Sequence, residues 1–231
     1  MNIFYAPDIL TDSYLPEEES FHCTKVLRLK KNDDVTVVDG RGGRYECRIA
    51  EPQLTHTLIE VVSSQIIEKR RRGSIHIAIA PTKNSDRIEW FAEKATEIGI
   101  DEITPVVCHF SERKQLNMER LQKIVISAMK QSQKAYLPTL NAIATFEQII
   151  MQSSESQRFI AHCYESEKIA LHHCYDASKP ALILIGPEGD FSEDEVERAL
   201  KRGFRPVTLG DSRLRTETAG VVACVTMNLL A

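Results

Sequence analysis

The apolar residues change their period at a charged break, Glu68-Lys69-Arg70-Arg71-Arg72-Gly73, and this change limits the fold more than any other feature of the chain. Before the break, side chains alternate with a period of two, as in half-buried strands. After it, short apolar runs alternate with stretches at helical spacing. One layer cannot serve both patterns, so residues 1–72 and 73–231 are expected to form separate domains. The break itself reads as a solvated linker, or as a phosphate-binding strip beside the first domain.

In the first part, Val35 to Val38 is a β-branched run ending at Asp39-Gly40, Arg41-Gly42-Gly43-Arg44 is a glycine-rich turn, and Arg44 to Ile49 resumes the alternation. Leu54 to Ile67 alternates again, with Leu54, Leu58, Val61 and Val62 as its apolar positions. Short strands with regular turn signals predict a small barrel or sandwich. One helical stretch, Ser20 to Arg28, interrupts them and sets Phe21, Lys25 and Arg28 on one side.

In the second part, Ile75 to Ala80, Glu102 to Val107, Arg158 to Cys163, Ala181 to Ile185 and Arg205 to Leu209 read as strands. Ile88, Phe91, Ala92, Ala95 and Ile98 mark a helix stopped by Gly99, and Leu121, Ile124, Val125, Ala128 and Met129 mark a second. Ser192 and Glu195 form a capping box, Lys201 and Arg202 suit the last turn of that helix, and Gly203 ends it. Thr216 to Leu230 is a final helix. Alternating elements of these lengths predict an α/β domain with a mostly parallel sheet.

Composition closes off several classes. A chain with 42% hydrophobic and 27% charged residues has the apolar content for a core and is not expected to be disordered. No stretch approaches the ~18 apolar residues of a membrane span. The start, MNIFYAPDIL, lacks a basic region and carries Asp8, so no secretory signal and a cytoplasmic location are expected. The net charge of −4 does not announce a nucleic-acid partner, which would need a local basic patch. The six cysteines contain no C-x-x-C pair and read as small buried hydrophobes in a reducing compartment.

Chemistry is expected at the carboxyl ends of the parallel strands. Three junctions there are unusual. Ile185-Gly186-Pro187-Glu188-Gly189-Asp190-Phe191 runs from a strand through two glycines into a capped helix. Leu209-Gly210-Asp211-Ser212-Arg213-Leu214-Arg215-Thr216-Glu217-Thr218-Ala219 crowds charged and hydroxyl groups into a loop and a helix start. The helix that follows is rich in small residues (Ala219, Gly220, Ala223, Cys224), which admit a partner helix or a ligand. The third junction is Phe159 to Glu165. His162, Cys163 and His172-His173-Cys174 match no zinc spacing, so no metal is expected. There is no dinucleotide fingerprint, Walker A loop or G-x-S-x-G elbow, and Asp39-Gly40-Arg41-Gly42-Gly43 reads as a hairpin turn.

The first two of these loops, Ile185 to Phe191 followed by Leu209 to Ala219, resemble the RsmE family of ribosomal RNA methyltransferases, members of the SPOUT superfamily. The resemblance extends to Lys83, Asp86-Arg87, Glu93 to Ile100, Gln131-Ser132, Leu137-Pro138, and His22 with Val26-Leu27-Arg28. It implies an N-terminal PUA-like β-barrel domain that helps hold RNA, and a C-terminal α/β domain with a trefoil knot. It also implies a cytoplasmic homodimer that methylates N3 of a uridine in 16S ribosomal RNA with S-adenosylmethionine. Topology rules alone would not suggest a knot.

Carried over by position, the cofactor residues are Ala161, His162, Ile185, Gly186, Pro187, Glu188, Gly189, Leu209, Gly210, Leu214, Arg215, Thr216, Thr218 and Ala219. Arg215 and Glu217 are the catalytic candidates. Arg215 would stabilise charge on a uridine carbonyl, and Glu217 would orient it or accept a proton. Lys25, Arg28, Lys30, Lys31, Arg41, Arg44, Arg48 and Lys134 are the candidate RNA contacts. The chain departs from the family pattern in three places. Asp190 stands at a usual glycine, Lys134 at a usual arginine, and no arginine occurs near position 2 or 3. Two other readings fit the same residues: a SPOUT methyltransferase of another RNA such as tRNA, and a non-catalytic ribosome-assembly factor.

Overall fold

The computed structural model describes residues 2–69 and 71–230, so Arg70 of the charged break lies outside the described residues. The chain forms two compact units, Met1–Lys69 with Ile126–Leu137 and Arg70–Val125 with Pro138–Ala231.

The first unit contains β1 (Ile3–Tyr5), α1 (Glu17–Phe21), β2 (Asp34–Val38), β3 (Gly43–Glu51) and β4 (Leu58–Ile66). The strands make one sheet in the order β1-β2-β3-β4, with β1 parallel to β2 and the rest antiparallel. The β2–β3 turn is built around Asp39, whose Oδ1 accepts from the amides of Arg41 (2.7 Å) and Gly43 (2.9 Å) while Tyr45 Oη donates to Oδ2. The alternation holds in β3: Tyr45, Cys47 and Ile49 are buried with Phe4, Leu15 and Val37, while Arg44, Glu46 and Arg48 face outward.

Two expectations change here. Leu54 precedes the last strand, and Val61 and Val62 are exposed, because β4 is an edge strand whose register is shifted by irregularities at Glu46/Cys47 and Ile49/Glu51. The helical stretch is α1 followed by a π-helical turn, His22–Val26, and Arg28 lies beyond it at φ 55. Arg28 therefore does not continue the face of Phe21 and Lys25.

The second unit runs β5 (Ile75–Ile79), α2 (Ser85–Ile98), β6 (Glu102–Val107), α3 (Met118–Gln131), β7 (Thr139–Leu140), β8 (Ala144–Thr145), α4 (Phe146–Gln152), β9 (Gln157–Ala161), β10 (Ile169–Ala170), α5 (Leu171–Cys174), β11 (Ala181–Ile185), α6 (Glu193–Lys201), β12 (Arg205–Thr208) and α7 (Thr216–Leu229). The last residues of α3 belong to the first unit. Every strand pair in the second sheet is parallel, in the order β10-β12-β9-β11-β5-β6-β7, with β8 beside β6. β5 and β11 are buried along their whole length, β11 as an unbroken apolar run and β5 with His76 as its one polar residue, because both faces are covered. Strand and helix ends differ from the sequence reading by a residue or two: His162, Cys163, Leu209 and Leu230 fall just outside their elements.

Asn84 caps α2 through the Asp86 amide, and Gly99 ends it at φ 125. Its buried face, including Ile88, Phe91 and Ala95, packs against α7. Gly220 of α7 faces the Phe91 ring and Ile79. The small residues Gly220, Ala223 and Cys224 are therefore buried within the unit, letting α7 approach α2 and β5.

Candidate active site

Parallel strands that neighbour one another deliver their following loops to the same place. β12, β9 and β11 are consecutive in the sheet, so the loops after Ala161, Ile185 and Thr208 meet at its carboxyl edge. Together they enclose a cleft in two lobes, of about 290 and 400 Å³, which share Ala161, Cys163, Arg213, Leu214 and Ala219.

Hydrogen bonds fix the loops to one another. Asp190 adopts φ 66, and its carboxylate accepts from the Cys163 amide (2.7 Å) and the Phe191 amide (2.8 Å). Tyr164 Oη donates to the Phe191 carbonyl (2.7 Å). Thr216 Oγ1 donates to the Gly186 carbonyl (2.9 Å), tying the start of α7 to the β11 loop. Glu188 accepts from the Lys83 amide (3.0 Å). Gly210, at φ 134, donates its amide to Thr208 Oγ1 (3.2 Å).

Of the expected cofactor residues, Ile185, Gly186, Pro187, Glu188, Arg215 and Thr216 line the smaller lobe, and His162, Leu209 and Gly210 the larger. Ala161, Leu214 and Ala219 belong to both. Gly189 and Thr218 are on neither wall. A Cβ on Gly189 would lie 3.0 Å from Phe110 Cβ, so close approach to that residue is what this glycine allows.

His162 is 8% exposed, and neither ring nitrogen has a hydrogen-bond partner. Burial first, then the Lys168 ammonium, hold its pKa below the ordinary value, so the ring is neutral at pH 7. Lys168 Nζ donates to the carbonyls of His162 (3.0 Å) and Tyr164 (2.6 Å), covering the chain end of β9 from the larger lobe.

Arg215 is exposed at the start of α7. Glu217 lines neither lobe. Its carboxylate is buried in the first turn of α7, with Oε1 3.9 Å from Arg87 Nε and Oε2 without a hydrogen-bond partner. The helix N-terminus favours a negative charge there.

Cys163, Lys168, Asp190 and Arg213 also line the cleft, and of these sequence reasoning missed Lys168. Arg213 and Asp190 lay inside the singled-out loops, whereas nothing in the sequence marks Lys168. Cys163 also departs from the expectation of buried cysteines: it is exposed on the cleft wall, whereas Cys23, Cys47, Cys108 and Cys224 are buried. Partial burial, then Asp190, raise the Cys163 thiol's pKa, which keeps it protonated.

The basic candidates of the first unit divide. Lys25, Arg28, Lys30 and Lys31 are exposed in one short segment. Arg41 donates to the Pro7 carbonyl, Arg44 pairs with Glu46 at 3.4 Å, and Arg48 with Asp34 at 3.3 Å. Lys134 is half-buried, just after Gln133 at φ 57.

At the opposite end of the second sheet, His76, Glu102 and Glu155 bring ligand-type atoms within 4.8 Å beside a cleft of about 510 Å³. Glu155 and Thr104 each lie 2.7 Å from a His76 ring nitrogen, and Asn141 donates to both Thr104 and Glu102. Among the described residues, His162, Cys163, His172, His173 and Cys174 form no such group. No helix among the described residues is long and apolar enough to cross a membrane.

Residues 69–228 match the model of an RNA methyltransferase domain, and residues 15–61 that of an RNA methyltransferase PUA domain. The ribosomal RNA small subunit methyltransferase E of Synechocystis sp. is 32% identical over 213 residues, covering 89% of this chain and 69% of that protein. A crystal structure of a probable rRNA-methyltransferase from Porphyromonas gingivalis matches with a TM-score of 0.93 and 42% identity, covering 100% and 98% of the two chains. The ribosomal RNA small subunit methyltransferase E of Neisseria gonorrhoeae, bound to S-adenosyl methionine, matches with a TM-score of 0.88 and 27% identity over 100% and 98%.

Proposed function

Because the chain belongs to the RsmE family of small-subunit ribosomal RNA methyltransferases, with a PUA-like N-terminal domain and a SPOUT methyltransferase domain, we propose that it methylates N3 of a uridine in 16S ribosomal RNA using S-adenosylmethionine. The observation that carries this reading is the cleft at the ends of β9, β11 and β12. It has apolar walls at Ile185, Leu209 and Leu214, and a buried His162 whose ring nitrogens are unpaired. An adenosyl group fits this chemistry. The aliphatic side chains cover its faces, while loop backbone groups and the His162 ring meet its polar edge.

When bound, S-adenosylmethionine supplies a methyl group already activated on a sulfonium, so the chemistry calls for no metal ion. The remaining work falls to the chain. N3 of uridine is a poor nucleophile while protonated, so the site must stabilise the uridinate that forms when the proton leaves. Arg215, exposed beside the smaller lobe, is assigned to a uridine carbonyl oxygen, where its charge lowers the cost of the developing anion. Glu217 is assigned a positioning role through Arg87 and the first turn of α7, since it lies behind the wall. N3 is on the pairing edge, so the base must be unpaired or everted to react. Residues 1–72 are read as the RNA-holding domain and 73–231 as the transferase, acting in the cytoplasm as a homodimer.

The test is methyl transfer to small-subunit RNA that lacks the modification, followed by nucleoside mass spectrometry. The expected product is 3-methyluridine. Arg215→Ala should abolish it while calorimetry shows cofactor affinity largely intact. Label in tRNA, or cofactor binding with no transfer to any RNA, would replace the proposal with one of its two rivals.

A further inference from the structure

The loop after β6 carries an exposed aromatic residue, Phe110, which lines neither lobe but packs against the loop that supplies part of the smaller lobe's wall. Phe110 is 46% exposed, although a phenyl group with no polar atom gains nothing from water. Its Cβ lies directly against Gly189, and the residues on either side of Gly189, Glu188 and Asp190, form the wall of that lobe.

The ring is held in this position. The Cys108 amide donates to Ser111 Oγ (2.9 Å), and the Ser111 amide to the Cys108 carbonyl (3.1 Å). The His109 amide donates to Glu195 Oε1 (2.8 Å). Arg113 donates twice to the Lys83 carbonyl, at 3.1 and 2.8 Å, and Lys83 Nζ pairs with Glu112 at 2.9 Å. The His109 ring supports the phenyl edge-on, with centroids 4.6 Å apart. A loop braced in this way, displaying an apolar ring to solvent, resembles a platform awaiting a flat partner.

We infer that Phe110 is the stacking surface for the everted target pyrimidine, holding its face while N3 is presented to the cleft. The inference rests on the methyl-transfer reading above. Unpaired bases in RNA recognition are commonly held by stacking on aromatic side chains. Gly189 has a matching role: a side chain there would push the platform away from the wall. In this role Phe110 binds the substrate base directly, at its face, and touches no reacting atom.

The experiment is steady-state methylation of unmodified small-subunit RNA by the full chain, comparing Phe110→Ala, Phe110→Leu, Phe110→Tyr and Phe110→Trp. Other contacts hold the rest of the RNA, so the loss should fall mainly on kcat at saturating RNA. For Phe110→Ala it should be roughly fivefold to a hundredfold, the range expected for one base–aromatic stack. The cofactor dissociation constant should not move, and Tyr and Trp should restore most of the rate while Leu does not. Full activity of Phe110→Ala overturns the inference, as does Leu performing as well as Phe, since that would mean simple apolar cover. Weakened cofactor binding in Phe110→Ala also overturns it, since the loop would then be a brace for the cleft. If the unmodified chain transfers no methyl group to this RNA, the proposed function fails instead.

Discussion

Asp190 is the residue on which the architecture of the cleft can be weighed most closely. Its carboxylate takes the amides of Cys163 and Phe191 at 2.7 and 2.8 Å, joining the loop after β9 to the loop after β11. Hydrogen bonds to a charged group contribute about 1.5–3 kcal/mol when shielded, and nearer 1 kcal/mol each at an exposed edge such as Cys163. Against this, φ 66 costs a residue with a β-carbon on the order of 1 kcal/mol, less for Asp than for Ala. Asp190→Gly loses about 2 kcal/mol of bonding and regains up to about 1 through the relaxed backbone. Asp190→Ala loses the same bonding and keeps the strain. If ordering these two loops is part of forming the cleft, calorimetry should show cofactor binding weakened about fivefold in the glycine variant and more than tenfold in the alanine variant, at ~1.4 kcal/mol per tenfold. Binding by Asp190→Gly as tight as by the parent chain would refute the carboxylate's role. Equal affinities for Gly and Ala would refute the strain argument.

Three further outcomes are expected. Gly220→Ala places a methyl group 2.6 Å from Phe91 Cε2 and 2.9 Å from Ile79 Cδ1, both fully buried, so the overpacking cost of about 1–3 kcal/mol exceeds the ~1 kcal/mol gain in helix propensity. A thermal melt should show a midpoint lower by a few degrees. His162 has its pKa depressed below 6.5 by burial and then by Lys168, so as pH falls below 6.5 the unfolded chain takes up this proton before the folded chain does. Its contribution to stability is full above 6.5 and is lost as pH falls from there to the folded value; His162→Gln should flatten that slope in melts across the window. Replacing Lys25, Arg28, Lys30 and Lys31 by Ala should weaken RNA binding and reduce its salt dependence, while cofactor affinity stays the same.

The sequence was most legible where one physical rule dominated. A β-type run marked β5, an unbroken apolar run marked β11, and the Ser192–Glu195 box marked the start of α6, where the structure shows both reciprocal hydrogen bonds. α4 escaped notice because Phe146–Gln152 is too short for its period to stand out, although Thr145 and Gln148 form a capping box of their own. The exposed apolar residues of β4 could not be anticipated, since only pairing order and bulges reveal an edge strand.

At the cleft, the loops stood out by composition, and most of their residues face one another across the lobes. Lys168 did not stand out, because its place depends on a turn that brings it back over the His162 and Tyr164 carbonyls. Gly189 and Glu217 were noticed for their residue type, but long-range packing determines what each touches: Phe110 for the glycine and Arg87 for the carboxylate.

The central claim is that the turns following β9, β11 and β12 make one seat for the methyl donor. A crystal structure of the chain soaked with S-adenosylmethionine tests this most directly. The adenosyl group should lie among Ile185, Leu209 and Leu214, with its sulfur end toward Arg215. A donor found elsewhere, for instance in the cleft beside His76, or these turns filled by the chain's own side chains when donor is present, would contradict it.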